Sequence, residues 1–137
     1  MRQGGISVGW IQSSGETEDL TGVLGHRPEL QEKFQAFTEA IEADAALSPA
    51  ILKLCRAQVQ FVHGGEDPKH HGLTGAEACA VKIAGLMPHG YHNIEDADVT
   101  ALVKHFGERG AVNLLTATSF YDVTARLTKV WALEGRS

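Results

Sequence analysis

Residues 63–71 read His-Gly-Gly-Glu-Asp-Pro-Lys-His-His and hold three of the chain's seven histidines beside two carboxylates. Imidazole changes charge near neutral pH, and a carboxylate next to it fixes the tautomer and favours the imidazolium. A His/Glu pair can therefore give a proton to a bound substrate or remove one. His63, Glu66 and His70 stand at i, i+3 and i+7, which on a continuous helix would form one face. Two imidazoles and a carboxylate aimed at one point would also suit zinc or iron, so the same three residues are the candidate metal ligands. Gly64, Gly65 and Pro68 fall inside that span and break a helical ladder, which puts the histidines on a connector. The competing reading is a solvated crossing, in which Asp67 caps a turn at Pro68 while His70 and His71 face water.

The elements on either side of the connector follow from punctuation and periodicity. Residues 1–25 hold most of the early Gly and Ser and show no sustained period, so they read as an irregular amino-terminal arm with at most a short helical turn. Pro28 then opens a helix in which Leu30, Phe34, Phe37 and Ile41 recur at helical spacing. Ser48 and Pro49 supply the N-cap and first position of the next helix, which runs to about residue 62 with Ile51, Leu52, Leu54, Cys55, Val59 and Val62 on its apolar side. After the connector, Thr74 and Glu77 have capping-box spacing, and Ala80, Val81 and Ala84 read as the buried side of a helix that stops by Pro88. Asn93 is expected to cap a further helix ending at Gly107. The last and longest helix repeats Val112, Leu115, Phe120, Val123, Leu127, Val130 and Trp131.

No stretch alternates long enough to build a sheet, so the expected class is all-α, with about five helices in a single domain over residues 26–134. With 137 residues, 43% hydrophobic and 21% charged, one core suffices. A net charge of −5 without runs of one sign argues against nucleic acid and anionic membranes as partners, leaving a small-molecule substrate or further subunits. No segment approaches the roughly 20 apolar residues of a membrane span, and the expected location is the cytoplasm. Cys55 and Cys79 lack CxxC spacing and read as buried thiols. The last helix is apolar on more than one side, which predicts a homo-oligomer.

Two blocks carry a family resemblance. "DADVTALVKHFGERGAVNLLTATSFYDVTARLTKVWALE" resembles the carboxy-terminal half of the carboxymuconolactone decarboxylase and alkylhydroperoxidase D-like family, with Tyr121 and Arg126 in its Y-x-x-x-x-R pattern. "LGHRPELQEKFQAFTEAIEADAALSPAILKLCRAQVQF" is similar to the amino-terminal half. The resemblance implies an alkylhydroperoxidase D-like helical bundle, trimeric or hexameric. In redox-active members eleven residues separate a Glu from C-x-x-C, and three more separate that motif from a His. Laid on this chain without gaps, that pattern puts Ile51 at the Glu, His63 and Glu66 at the two cysteines, and His70 at the His. A dithiol peroxidase needs a thiolate to attack the peroxide and a second thiol to resolve it, and both sulfurs are missing there.

The resemblance therefore implies the decarboxylase side of the family: thiol-independent acid/base chemistry of decarboxylase, isomerase or lyase type on a small organic acid or metabolite. His63, Glu66 and His70 are the catalytic candidates. His71, Tyr91 and Arg126 are the substrate-binding candidates, although Arg126 can equally form an i, i+4 surface pair with Asp122. No cofactor is expected. The alternatives are a non-catalytic binding or assembly protein on the same scaffold, and a hydroperoxide reductase using Cys55 and Cys79.

Overall fold

Proline-led starts set the helix order. Pro28 and Pro49 occupy first helical positions, where the missing N–H has no intrahelical partner to lose. Ser48 caps the second of these, its Oγ accepting the Ile51 N–H at 3.3 Å. In the computed structural model, which describes residues 20–43 and 45–131, the elements are α1 (Leu20–Leu24), α2 (Pro28–Ala43), α3 (Pro49–Val62), α4 (Gly75–Leu86) and α5 (Asp96–Val130). Two 3₁₀ turns, Met87–His89 and Tyr91–Asn93, separate α4 from α5. No strand occurs among the described residues, as the all-α reading expects. No described helix is long and apolar enough to cross a membrane. Of the amino-terminal arm expected over 1–25, residues 1–19 lie outside the described residues, and 20–24 are helical.

The chain gathers into two compact units, one made among the described residues by 20–40 with 124–131, the other by 41–123. In the first, the Gln31 side-chain amide donates to the Thr21 carbonyl at 2.8 Å and so ties α1 to α2. Leu30 and Phe37, expected on a buried stripe of α2, are 45% and 44% exposed, and only Ile41 of that stripe is buried. In the second unit α3 packs against α4, and Ile51, Leu52, Cys55 and Val59 meet a core completed by Ala80, Ile83, Ala84, Leu102 and Leu114. Thr74 and Glu77 close the expected capping box at the start of α4, the Thr74 N–H donating to Glu77 Oε1 at 2.8 Å and the Glu77 N–H to Thr74 Oγ1 at 3.1 Å. Ile83, not Val81, is the large buried residue of α4, because the inward face follows 80, 83, 84.

Two expectations about the carboxy-terminal half change. Asn93 does not cap α5; it sits in the second 3₁₀ turn. Asp98 does the work instead, reaching back from the first turn so that its Oδ2 accepts the Glu95 N–H at 2.9 Å, while its Oδ1 meets Lys82 Nζ of α4 at 2.7 Å. The apolar repeat chosen on α5 also has the wrong register: Val112, Val123 and Val130 are exposed, whereas Gly110, Ala111, Leu114, Ala117, Thr118 and Tyr121 are buried. Small side chains occupy the inward stripe, and a Cβ at Gly110 would stand 3.5 Å from the Ala46 carbonyl oxygen and 2.7 Å from Phe106 Cβ. The short distance is the one to Phe106, one turn earlier along the same element across the Gly107 break, whereas the distance to Ala46 is an ordinary van der Waals contact.

The break expected at Gly107 is present: it divides Asp96–Val130 into two helical stretches, one ending at Gly107 and the other following it. Its φ of 73° and ψ of 172° interrupt the helical geometry in a region open almost only to glycine. A Cβ built there meets nothing within 4 Å, so a substitution tests the backbone alone. Gly107→Ala is expected to lower unfolding free energy by about 1–3 kcal/mol, measured by chemical denaturation; unchanged or higher stability would mean that the kink relaxes without cost.

Candidate functional site

The chemistry begins where α3 stops. His63 is the helix C-cap, its N–H bonded to the Val59 carbonyl, and Gly64 at φ 91° turns the chain away. The imidazole Nε2 of His63 lies 2.6 Å from Asp122 Oδ1 on α5, with the two side chains 18% and 16% exposed. A carboxylate only accepts, so Nε2–H is the donor. Nδ1 is left without a hydrogen bond among the described residues. Such a short, partly desolvated, charge-assisted bond is worth on the order of 1.5–3 kcal/mol.

Beyond His63 the connector is shaped by local bonds. Asp67 Oδ1 accepts the Lys69 N–H at 2.9 Å, the turn expected at Pro68, and Lys69 itself adopts φ 52°. Gly72, at φ 69°, then leads to the capping box of α4. This path brings His70 back onto α3, where its Nε2 lies 3.0 Å from Gln58 Oε1.

The sequence-derived candidates do not converge as a helix would have made them. Because α3 ends at Val62, the i, i+3, i+7 face of His63, Glu66 and His70 does not form. No group of three potential metal ligands comes together among the described residues. Gln58 and His63 are five residues apart, about 140° around the helix axis, with the buried Cys55 and Val59 between them in angle. His70 is thus held at one edge of the buried face of α3 and His63 at the other. Glu66 and His71 are exposed on the connector. Tyr91 is 84% exposed on its 3₁₀ turn, with an edge-on ring contact to His92. Arg126 is an exposed residue of the other unit, one helical turn after Asp122 along α5.

Two hydrogen-bond partners of the candidate histidines escaped sequence reasoning. Asp122 had been considered only beside Arg126, and its bond to His63 spans 59 positions, beyond any local pattern. Gln58 carried no signal as a lone amide on an amphipathic helix. A further acidic residue, Asp98, is buried at 6% exposure, and its spacing from Glu95 was the available clue. Its carboxyl is held below the usual carboxylate range by the Lys82 hydrogen bond and by the Glu95 N–H. The Lys82 ammonium is raised in turn, chiefly by its hydrogen bond to Asp98.

The thiols are placed differently from one another. Cys55 is fully buried, and burial pushes its thiol up to about 12. The Thr118 hydroxyl beside it pulls the other way, although Thr118 Oγ1 makes no hydrogen bond of full geometry. Cys79 is half-buried and also raised, by burial first and by the Asp98 charge second, with Lys82 opposing. A peroxide-reducing thiolate needs the opposite shift.

A rise from 9.0 to about 12 lowers the Cys55 thiolate fraction roughly a thousandfold at neutral pH. In native protein a thiol reagent at pH 8 is expected to modify Cys79 and to reach Cys55 only on unfolding, read by mass spectrometry. The same shift makes the folded state hold a proton that the unfolded chain releases. Its contribution is therefore intact below pH 9 and is lost as pH rises toward 12, by at most about 1.4 kcal/mol per pH unit. Equal labelling of both cysteines in folded protein would contradict this placement. Comparison with protein-family models, with curated proteins and with solved structures finds no match to the chain, so its family resemblance rests on the residues quoted above.

Proposed function

We propose that the chain performs thiol-independent proton transfer, of decarboxylase, isomerase or lyase type, on a small organic acid or related metabolite. The observation that carries this reading is the 2.6 Å bond between His63 Nε2 and Asp122 Oδ1. Asp122 holds the Nε2–H tautomer, which makes Nδ1 the nitrogen that gives or takes a proton. At 18% exposure the ring is accessible yet sheltered. His70 is the second acid/base candidate and Glu66 the candidate for orienting an imidazole, while His71 and Tyr91 are candidate substrate contacts; the side chains of Glu66, His71 and Tyr91 are exposed. The resemblance supports the assignment, because His63 falls where redox-active members of that family keep a sulfur.

Membership of the carboxymuconolactone decarboxylase/alkylhydroperoxidase D-like group, a homo-oligomeric state and a cytoplasmic location belong to the same proposal. Exposed Val99, Val103, Val112 and Val123 on α5 support an assembly. They equally favour the second reading, a binding or assembly protein that keeps the scaffold without catalysis. The hydroperoxide reductase reading draws no support from a Cys55 thiol held protonated in the core.

A panel of small keto acids and unsaturated lactone acids, followed by NMR in deuterated water for proton exchange and CO₂ loss, tests the proposal. His63→Ala is expected to reduce turnover by at least about 10²-fold, Asp122→Asn to reduce kcat more than it changes KM, and serine at both Cys55 and Cys79 to leave it intact. No turnover by the native protein, or equal rates with His63→Ala, favours the binding reading; hydroperoxide consumption lost with the two serines restores the reductase.

A further inference from the structure

The bond between His70 and Gln58 has no part in joining the helices, since α3 and α4 already pack through their apolar faces. What it does is determine where a connector imidazole stands. Three features converge on it within residues 41–123. Gln58 turns its Oε1 to His70 Nε2 at 3.0 Å, so the ring donates Nε2–H and retains Nδ1 with no hydrogen bond among the described residues. Gly85 of α4 lies against the same amide, and a Cβ there would stand 3.3 Å from Gln58 Nε2 and 3.6 Å from its Cγ. Lys69, immediately before His70, has φ 52°, a conformation rarely taken by residues with a Cβ, supported by the Asp67 carboxylate on its N–H.

We propose that Gln58 is the positioning residue for His70, seated by Gly85, and that it makes Nδ1 the atom through which His70 meets a ligand. The inference rests on the proton-transfer reading for what His70 then does, but its geometry stands independently. An exposed imidazole in a loop samples both neutral tautomers and several rotamers, whereas one anchored at Nε2 presents a single basic nitrogen from a defined place. His63 is anchored at the same atom by Asp122. Both rings thus present Nδ1, one backed by a carboxylate and the other by a neutral amide. Such a pair, attached at opposite edges of α3, suits a substrate with two separated polar groups, such as a carboxylated lactone or keto acid.

The test uses the full chain with ¹⁵N-labelled histidine. Long-range proton–nitrogen spectra above the ring's titration are expected to show His70 as the Nε2–H tautomer with Nδ1 unprotonated, and nitrogen relaxation to show a ring as ordered as that of His63. Gln58→Leu removes the acceptor and is expected to return the ring to fast motion and mixed tautomers, while Gln58→Glu, which keeps an acceptor oxygen, restores the anchored spectrum. Gly85→Ala is expected to lie between them, with circular dichroism and amide spectra confirming that each variant is folded. A His70 spectrum unchanged in Gln58→Leu overturns the inference. Activity is read separately: if His70 works as proposed, Gln58→Leu lowers kcat by about 10²-fold toward the His70→Ala value. Native rates in His70→Ala together with the expected spectra would remove His70 from the chemistry while leaving its anchoring by Gln58 standing.

Discussion

A helix that must end leaves backbone carbonyls and a side chain at its last turn, and the end of α3 turns both to use. Gly64 and Gly65 stop the helix at Val62, and His63 becomes the residue whose ring is freed from the helical cylinder while its backbone remains tied to Val59. Asp122 meets that ring at 2.6 Å. Had α3 continued, His63, Glu66 and His70 would have shared a face, and the carboxylate beside His63 would have come from its own helix. Because it stops, the partner comes from α5, and the connector is free to carry His70 to the other edge of α3. The dispersal of Glu66 and His71 to the surface has the same origin.

Polar contacts of two kinds hold α5 to its neighbours in residues 41–123. Near its start, Asp98 joins the Glu95 amide and the Lys82 ammonium, so that one buried carboxylate serves as helix cap and interhelical ion pair together. Toward the other end, Asp122 binds His63. Between them Ala111, Leu114, Ala117 and Thr118 are all buried, and Gly110 faces Ala46 and Leu47 at ordinary contact distance. Small residues make up much of the buried stripe, and Val112, Val123 and Val130 of α5 are on the outside.

The separation of thiols from imidazoles gives the site its chemical character. Cys55 lies in the same helix as Gln58 and about two turns before His63, yet burial holds its sulfur protonated, whereas the imidazoles sit at the rim of that core with a ring nitrogen unengaged. Nucleophilic sulfur chemistry requires a stabilised thiolate near the surface; proton exchange requires an oriented, reachable imidazole. The geometry supplies the second set of conditions.

Local chemistry made much of this legible in advance. Proline at first positions, Ser48 and the Thr74/Glu77 box mark helix starts because a cap acts on amides within three residues of it, and Gly107 marks a break because its backbone conformation excludes a Cβ. Residues 63–71 were recognisable as an irregular, histidine-rich connector for the same reason. Which partner each imidazole found was not, since Asp122 is 59 positions from His63 and no periodicity spans that distance. The inward register of α5 was missed because hydrophobicity weights valine above alanine and glycine, while close helix packing selects for small volume. Sequence determined where the backbone must start, stop and turn; the tertiary structure alone decided which side chains meet, because those contacts depend on distances between elements that no local pattern encodes.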